Sequence, residues 1–421
     1  MSDNLTTYDG LLKNVFTPKE VLNLIYQNNQ FLKMVPKYEK FLGDAYKVPI
    51  IYGSAQSWSP SFSYAQTASQ VNSQAVTAFL LNSRASMYAV GNWTRQTMLA
   101  SAGDAGAFLE VVQVNIENNM RALGNAMATC LYRSGYGDQG QISSIGFSAS
   151  ASTIQLANPE DIVNFEINQQ LSVAATQSGT TRTLGTSGNG LIVTARDVNQ
   201  GLLTFAYAIN DATNGIPNIS AGDFLFPNNT HTAGATQLVP LGIEAYIPPV
   251  APASSATLWG APVGLDSRLN GLRINATDGR SLEEALIQAA ALVAREDGEL
   301  SHFFCSHDTY ARIQTTMQSR LRHADVEVED FAGFSGAMLR TNHGEVMIVP
   351  DRACPSNRIY GLDLKTWELA SLGPLIDRVE EDSLAFIRQT TADNFEARWA
   401  SYSQLVCRAP GRNVNIQIVP S

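Results

Sequence analysis

The sequence has little charge, and what it has is unevenly distributed. Charged residues make up 16% of the 421 residues, well below the roughly 25% usual for soluble domains. Between Ala45 and Gly103 there is no Asp or Glu, and the only basic residues there are Lys47, Arg84 and Arg95. Such a stretch is uncommon on a surface that faces water. Burial against further copies of the chain would explain it.

Cysteine and long apolar runs are also scarce. The four cysteines are far apart and form no CxxC pair, which fits neither a zinc site nor the disulfide framework of a small secreted domain. No apolar run approaches the roughly 20 residues of a membrane span, and the first ten residues are polar and acidic, unlike a signal peptide. We therefore expect no cofactor, no metal, no membrane contact, and assembly in the cytoplasm.

The sign of the charge excludes one further class of protein. The formal net charge is -10 and the pI is about 5.0, so counterion release would oppose binding to nucleic acid. A protein that reads DNA sequence is not expected. Lysine is rare and absent from residues 48–364, so most basic residues are arginines, which form the bidentate ion pairs common at interfaces.

Helical patterns occur in several places, within a chain whose length indicates two or three domains. A proline at the first helical position predicts a short helix from Pro18 to about Asn28. The longest pattern runs from Ala105 to about Tyr132, with apolar residues every three or four positions, and would be on the order of 40 Å long. A capping box at Ser281 opens a helix that reaches about Asp297, and residues 307–322 predict another.

Strand patterns fill most of the remaining chain. Residues 46–98 predict long strands at 76–80 and 87–90 that form a large extended hairpin. Residues 140–252 are rich in Thr, Ser, Asn and Gly with frequent turn signals, which predicts a small β-barrel or sandwich interrupted by one helix-like piece from Asn158 to about Val173. Residues 301–306 read as a buried strand, and residues 402–408 and 413–419 as the final strands.

The residues that could carry chemistry have simpler structural explanations. His302, Cys305 and His307 are close in sequence, but His302 and Cys305 point to opposite faces of a strand. Ser306-His307-Asp308 has the residue types of a catalytic triad, yet adjacent residues cannot chain their hydrogen bonds as a triad requires. Ser306 is expected to cap the next helix. Glu296 ends a helix where negative charge is unfavourable, so either solvent or an arginine from a neighbouring subunit compensates it.

The order of these elements resembles that of the major capsid proteins of tailed phages that share the Hong Kong 97 fold. The similarity of layout covers nearly the whole chain: a short arm, a long nearly uncharged hairpin, a long helix, a Thr/Ser/Gly-rich β-segment, a helix-strand-helix unit and final strands. It is strongest at Gly264–Leu272, from Leu282 to Tyr310, and from Arg358 to Phe386. The resemblance implies an α+β capsid fold and no enzymatic activity.

The resemblance also assigns a role to each segment. It implies an N-terminal arm (1–45), an extended loop (46–98), a peripheral domain with the spine helix (99–139), a β-rich insertion domain (140–252), a return to the peripheral domain (253–280), an axial domain (281–392) and C-terminal strands (393–421). Within the loop we predict Trp58, Tyr64, Arg84 and Arg95 as inter-subunit contacts. The Lys-Asn cross-link of some family members is not expected in the loop, because no lysine lies between residues 48 and 364.

The implied partners follow from this layout. Copies of the chain would form pentamers and hexamers of an icosahedral shell that encloses double-stranded DNA, with a separate scaffolding protein, a portal and, in some shells, a decoration protein. An encapsulin-like cellular compartment is one alternative, since it would share the fold. A secreted carbohydrate-active β-protein is another, with tryptophans as sugar platforms; it would need a pair of catalytic carboxylates in a cleft.

Overall fold

The structure, a computed structural model, describes residues 29–41, 43, 45–71, 74–94, 105–231, 238–316, 322–325, 335–341, 344–379, 387–388 and 394–419. The α-helices in these residues are α1 (Gln30–Met34), α2 (Phe62–Val71), α3 (Ala105–Tyr132), α4 (Ile243–Tyr246), α5 (Ser267–Asn270), α6 (Leu282–Arg295) and α7 (His307–Thr316). The strands are β1 (Lys37–Tyr38), β2 (Tyr46–Gly53), β3 (Ala75–Leu81), β4 (Ala85–Thr94), β5 (Gly140–Gln141), β6 (Thr153–Gln155), β7 (Gln170–Ala174), β8 (Leu191–Asp197), β9 (Leu202–Phe205), β10 (Phe224–Pro227), β11 (Leu272–Asn275), β12 (His302–Cys305), β13 (Arg322–Asp325), β14 (Ser335–Thr341), β15 (Gly344–Pro350), β16 (Arg358–Leu362), β17 (Trp367–Ser371), β18 (Asp377–Val379), β19 (Ile387–Arg388), β20 (Asn394–Cys407) and β21 (Val414–Gln417). The sequence-predicted helix at residues 18–28 lies outside the described residues.

The extended hairpin is shorter than the sequence predicted. β2 and β3 pair antiparallel from Tyr46↔Leu81 onwards, and α2 lies between them. β4 does not join this hairpin: it pairs antiparallel with β20 along its whole length. This pairing places Met87, Ala89 and Trp93 against the main core.

The long helix α3 supports the central sheet. This sheet has the order β1-β17-β20-β18, with β4 and β19 also paired to β20. The spacing of apolar residues in α3 is confirmed by burial of Ile116, Met120, Leu123, Met127 and Leu131 in the main core. α3 ends at Tyr132, and Gly135 and Gly137 shortly after it have φ of +91° and +87°, a conformation that glycine adopts without strain.

The segment at the N-terminal end of the described chain is held by a buried carboxylate. Asp351 is 1% exposed, and its Oδ2 accepts hydrogen bonds from the Phe31 backbone N–H at 2.8 Å and from the Tyr132 hydroxyl at 2.9 Å. The Phe31 ring packs between Tyr132 and Phe304. Burial raises the pKa of the Asp351 carboxyl. α1 is therefore fixed to the end of α3 and to the segment that follows β15.

Residues 140–227 form a small β-barrel, one of the two architectures that the sequence predicted for residues 140–252. Six antiparallel strands follow the order β5-β10-β7-β8-β9-β6, and the two ends of this order meet at an Ile142↔Leu156 bridge. Backbone hydrogen bonds from Ser143 N–H to Gln155 O and from Ala157 N–H to Gln141 O, both 2.8 Å, complete the closure. The interior is a separate apolar core. Closure leaves no long free edge on this unit.

A second large sheet carries the helix-strand-helix unit. Its order is β11-β21-β16-β12-β15-β14-β13. α6 buries one face against this sheet, through Leu282, Leu286 and Val293 among others. The predicted cap is present, because Ser281 Oγ accepts from the Glu284 backbone N–H at 3.2 Å. The predicted buried strand is β12.

Two sequence predictions of local structure were wrong in extent. The helix expected at residues 158–173 is only a 3-10 turn, Pro159–Asn164, followed by strand β7, because Leu171 and Val173 complete the barrel core. The strand expected from residue 402 begins at Asn394. The first half of β20 carries Glu396 and Arg398, whose polarity made this segment look unlike a strand. In the structure this half pairs with β4 along one edge.

Candidate assembly surfaces

The tip of the hairpin exposes large aromatic side chains in the isolated chain. Trp58 is 82% exposed, and Phe62 and Tyr64, in the first turn of α2, are 84% and 73% exposed. A cluster of large exposed apolar groups is a mark of an interaction surface in a soluble protein. The predicted contact residues Trp58 and Tyr64 therefore lie together in sequence and both face outwards, and sequence reasoning missed Phe62 beside them.

The outer face of the hairpin continues this apolar surface. Ile51 and Val76 are cross-strand partners and are 65% and 57% exposed. The opposite face of the same strands places Val48, Phe79 and Leu81 in the main core. Because side chains alternate along a strand, one face anchors the hairpin to its own subunit and the other remains uncovered.

The edge of β2 is also uncovered. Among the described strands only β3 pairs with β2. On β3 the Leu80 N–H points away from β2, since it donates to Trp259 O at 2.9 Å. Lys47 is the cross-strand partner of Leu80, so the backbone groups of Lys47, Pro49 and Ile51 point to the free edge of β2. Proline suits that position because it has no N–H to leave unpaired.

Arg84, a third predicted contact, is engaged by its own subunit. Its Nη1 donates to the carbonyl oxygens of Phe41 at 2.8 Å and Gly43 at 2.9 Å, and the guanidinium lies 4.9 Å from the centre of the Phe41 ring. Arg84 therefore ties the start of β4 to the segment before β2. Arg95, the fourth predicted contact, lies outside the described residues.

The arginine that compensates Glu296 belongs to the same chain. Arg268 Nε lies 3.1 Å from Glu296 Oε2, and Arg268 Nη1 donates to Tyr52 O at 2.7 Å. The suggested arginine from a neighbouring subunit is thus not required. Arg268 links the hairpin to the end of α6, a role that its sequence context did not indicate.

The residues with catalytic-looking chemistry are part of the fold. Ser306 Oγ accepts from the Thr309 backbone N–H at 3.2 Å, which confirms that it caps α7. Cys305 is fully buried, and burial raises the pKa of its thiol well above the usual range. Among the described residues no group of His, Cys, Asp and Glu is arranged to hold a metal ion, and no described helix is long and apolar enough to cross a membrane.

His302 makes stability depend on acidity. Burial lowers the pKa of its imidazole from 6.5 to about 4, so the unfolded chain takes up a proton that the folded chain refuses. The contribution of His302 to stability is complete above pH 6.5 and is lost as pH falls towards 4, by about 2 kcal/mol after allowance for partial exposure. We expect the free energy of unfolding, measured with urea, to fall less between pH 6.5 and pH 4 in His302→Gln than in the wild type. Equal losses in both proteins would show that His302 is not the group responsible.

The largest described groove does not provide the site that a carbohydrate-active protein would need. A groove of about 770 Å³ lies between α3, β4 and the barrel, and its described lining contains one carboxylate, that of Glu166. Glycoside hydrolysis requires two. Trp93, Trp367 and Trp399 are buried in the main core, so they are not sugar platforms.

Comparison with known families decides the class of protein. The family model of the SU10 major capsid protein matches residues 166–410, more than half of the chain. The chain belongs to this family. It is a major capsid protein, a structural subunit of a phage shell and not an enzyme. No curated protein matches the chain.

A solved phage capsid structure agrees with this capsid protein's fold. The cyanophage A-1(L) capsid asymmetric unit is similar over 93% of this chain and 92% of that chain, with a TM-score of 0.50 at 10% identity. The holo-SrpI encapsulin complex from Synechococcus elongatus PCC 7942 is similar over 92% and 86%, with a TM-score of 0.44 at 7% identity. At this identity the cyanophage likeness shows the fold alone, which is of the Hong Kong 97 type.

Proposed function

We propose that residues 46–98 reach over a neighbouring subunit and that the hairpin tip is the main contact. The observation that carries this proposal is the exposure of Trp58, Phe62 and Tyr64 in a segment without Asp or Glu. Each such aromatic ring can bury 150–250 Å², so burial of the tip would contribute on the order of several kcal/mol per contact. Arg84 and Arg95 would assist, Arg84 by holding the start of β4 against the segment before β2.

The remaining segments receive roles from the same scheme. Residues 1–45 would be the arm that reaches across to neighbours, 99–139 and 253–280 the peripheral domain, and 140–252 the insertion domain. Residues 281–392 would be the axial domain at capsomer centres, followed by C-terminal strands at 393–421. In support, α6, β12 and α7 form one compact unit with its own core, and the barrel forms another.

The wider partnerships are part of the same proposal. Copies of the subunit would form pentamers and hexamers that close under icosahedral symmetry, assembled in the host cytoplasm with a separate scaffolding protein and a portal. A decoration protein could add to the shell from outside. The shell would enclose double-stranded DNA without reading its sequence, in keeping with a net charge of -10.

We expect the double variant Trp58→Ser/Phe62→Ser to abolish shell formation and leave the subunit folded. Both side chains face solvent in the isolated chain, so their loss removes contact area between subunits and no core packing. The measurement is sedimentation velocity and negative-stain microscopy of protein expressed alone and with its neighbouring genes, together with thermal unfolding of the unassembled subunit.

A matched control is Ile145→Ser, which removes a side chain that is 78% exposed on the barrel instead of the hairpin. The control should assemble as the wild type does. Shells formed by the double variant at wild-type yield would rule out the tip as the main contact, and an equal defect in both variants would show a general effect of lost surface hydrophobicity.

A further inference from the structure

Five charged side chains are buried together where the barrel joins the body of the subunit. Arg133 follows α3, Asp138 lies in the passage into the barrel, and Asp161 lies in the barrel's 3-10 turn. Glu244 lies in α4, after the barrel, and Arg358 begins β16. The exposed fractions of these side chains lie between 0% and 13%. The cluster therefore connects the barrel, the spine helix and the second large sheet.

The contacts within the cluster are unequal. Arg133 Nη2 lies 2.6 Å from Asp161 Oδ1, and Arg133 Nη1 lies 3.8 Å from Asp138 Oδ2. Arg358 Nη2 lies 3.5 Å from Glu244 Oε1. The Nε of Arg133 and the Nη1 of Arg358 are buried without a hydrogen-bond partner. One close pair and two loose ones therefore share the site.

The charges of the cluster do not balance. Two guanidinium groups face three carboxyl groups, so full ionisation would bury one uncompensated negative charge, which is costly away from water. Burial raises the pKa of both Asp161 and Glu244, although Arg133 and Arg358 act in the opposite direction. Groups this close titrate as a unit. The cluster is thus suited to hold one proton among its carboxylates.

The other titratable groups that face the cluster stay neutral. Burial raises the pKa of the Cys130 thiol to about 12 and those of Cys354 and Tyr360 well above their usual values. The proton balance of the site near neutral pH therefore depends on the carboxyls of Asp161 and Glu244, whose pKa values burial raises.

We propose that this cluster is a proton-dependent joint that holds the barrel on the body of the subunit. With one proton held by Asp161 or Glu244, two positive charges face two negative charges, and the joint is electrically balanced and rigid. When that proton leaves, a buried negative charge remains unpaired and the barrel is held more loosely.

The direction of the pH dependence follows from the raised pKa values. The folded subunit keeps a proton that the unfolded chain has released, so the joint's contribution to stability is present at acidic pH. It is lost as pH rises through the pKa of the folded state. Alkaline conditions should loosen the barrel relative to the body.

Asp138→Asn tests the joint, because it removes one carboxylate and keeps the shape. The new amide can accept from Gln177 through its oxygen and donate to Ser134 Oγ, two groups that hydrogen-bond Asp138 in the wild type. Calorimetric unfolding in buffers of different ionisation enthalpy counts the protons released. At about pH 6, where the unfolded carboxyls are ionised, Asp138→Asn should release about one proton fewer than the wild type.

Asp223→Asn is the matched control. Asp223 is 2% exposed and pairs one-to-one with Arg182 through two hydrogen bonds of 2.5 and 2.7 Å, so its pair is already balanced. This variant should lose stability without releasing fewer protons. Glu244→Gln, which neutralises a different member of the cluster, should repeat the proton effect and guards against a folding defect specific to residue 138.

Hydrogen exchange gives a second measurement. A purely structural ion pair would not make the relative exchange rates depend on pH. The exchange rate of the barrel amides at 140–227, divided by the exchange rate of the α6 amides, should rise in the wild type from about pH 6 to about pH 9. In Asp138→Asn this ratio should stay constant. The proposal fails if both neutralised variants release as many protons as the wild type, or if the exchange ratio is independent of pH in all proteins.

Discussion

Replacement of Asn413 by leucine should lower the free energy of unfolding by about 4 kcal/mol, one of the largest losses expected from a single side chain. Asn413 is fully buried. Its Oδ1 accepts from the Asp363 backbone N–H at 2.9 Å and from Trp367 Nε1 at 2.8 Å. Its Nδ2 donates to Ala409 O at 2.8 Å and to Thr366 Oγ1 at 3.1 Å. Leucine leaves these buried groups without partners.

The matched control is Asn415→Leu, two residues further along the same segment. Asn415 is 1% exposed and makes a single described hydrogen bond, from Nδ2 to Ile247 O at 2.9 Å, while its Oδ1 is buried without a partner. This variant should lose about 1 kcal/mol. Urea unfolding of the unassembled subunits measures both. Similar losses in the two variants would show that burial of the amide, and not its hydrogen bonds, sets the effect.

Gly242→Ala should prevent the subunit from reaching its native fold, or lower the free energy of unfolding by more than about 3 kcal/mol. Gly242 precedes α4 and lies against the last turn of α3. A Cβ there would be 2.3 Å from Cys130 O and 2.4 Å from Arg133 O. These are backbone atoms of a buried helix end and cannot move aside singly. The yield of soluble subunit and its thermal midpoint measure the effect.

Gly222→Ala is the comparison for this substitution. Gly222 has φ of +81°, and a Cβ would meet no atom within 4 Å, so alanine there suffers only backbone strain of about 1 kcal/mol. A Gly242→Ala subunit as stable as Gly222→Ala would mean that α3 and α4 can separate freely, and that their close approach does not organise the site around Arg133.

Sequence patterns predicted the secondary structure correctly for elements that bury one face and expose the other. The three- and four-residue spacing of α3, the capping box at Ser281 and the closely spaced turns of residues 140–252 each predicted an element that is present. Periodicity is informative there because the buried side chains of one element recur at a regular spacing along the chain. The family resemblance rested on the order of these same elements, and the family match confirms it.

Sequence patterns gave wrong predictions where the structure of a segment depended on residues far away in sequence. β4 has the composition of a hairpin strand, yet it pairs with β20, about three hundred positions later in sequence. Residues 165–173 were predicted to continue the helix that begins at Asn158, yet barrel closure makes them a loop and a strand. Local propensities differ by less than the free energy of burying a strand in a core, so the core decided.

The sequence by itself predicted that this chain builds a shell: its low charge and acid-free segment indicated burial against other copies, and the order of its elements resembled that of a capsid family. Only the tertiary structure showed which polar side chains contribute most to the stability of the fold. Arg268, Asn413 and the residues of the Arg133 cluster stand in unremarkable sequence contexts. Their importance arises because hydrogen bonds and ion pairs strengthen when folding removes water from them, and folding brings together partners that are far apart in sequence.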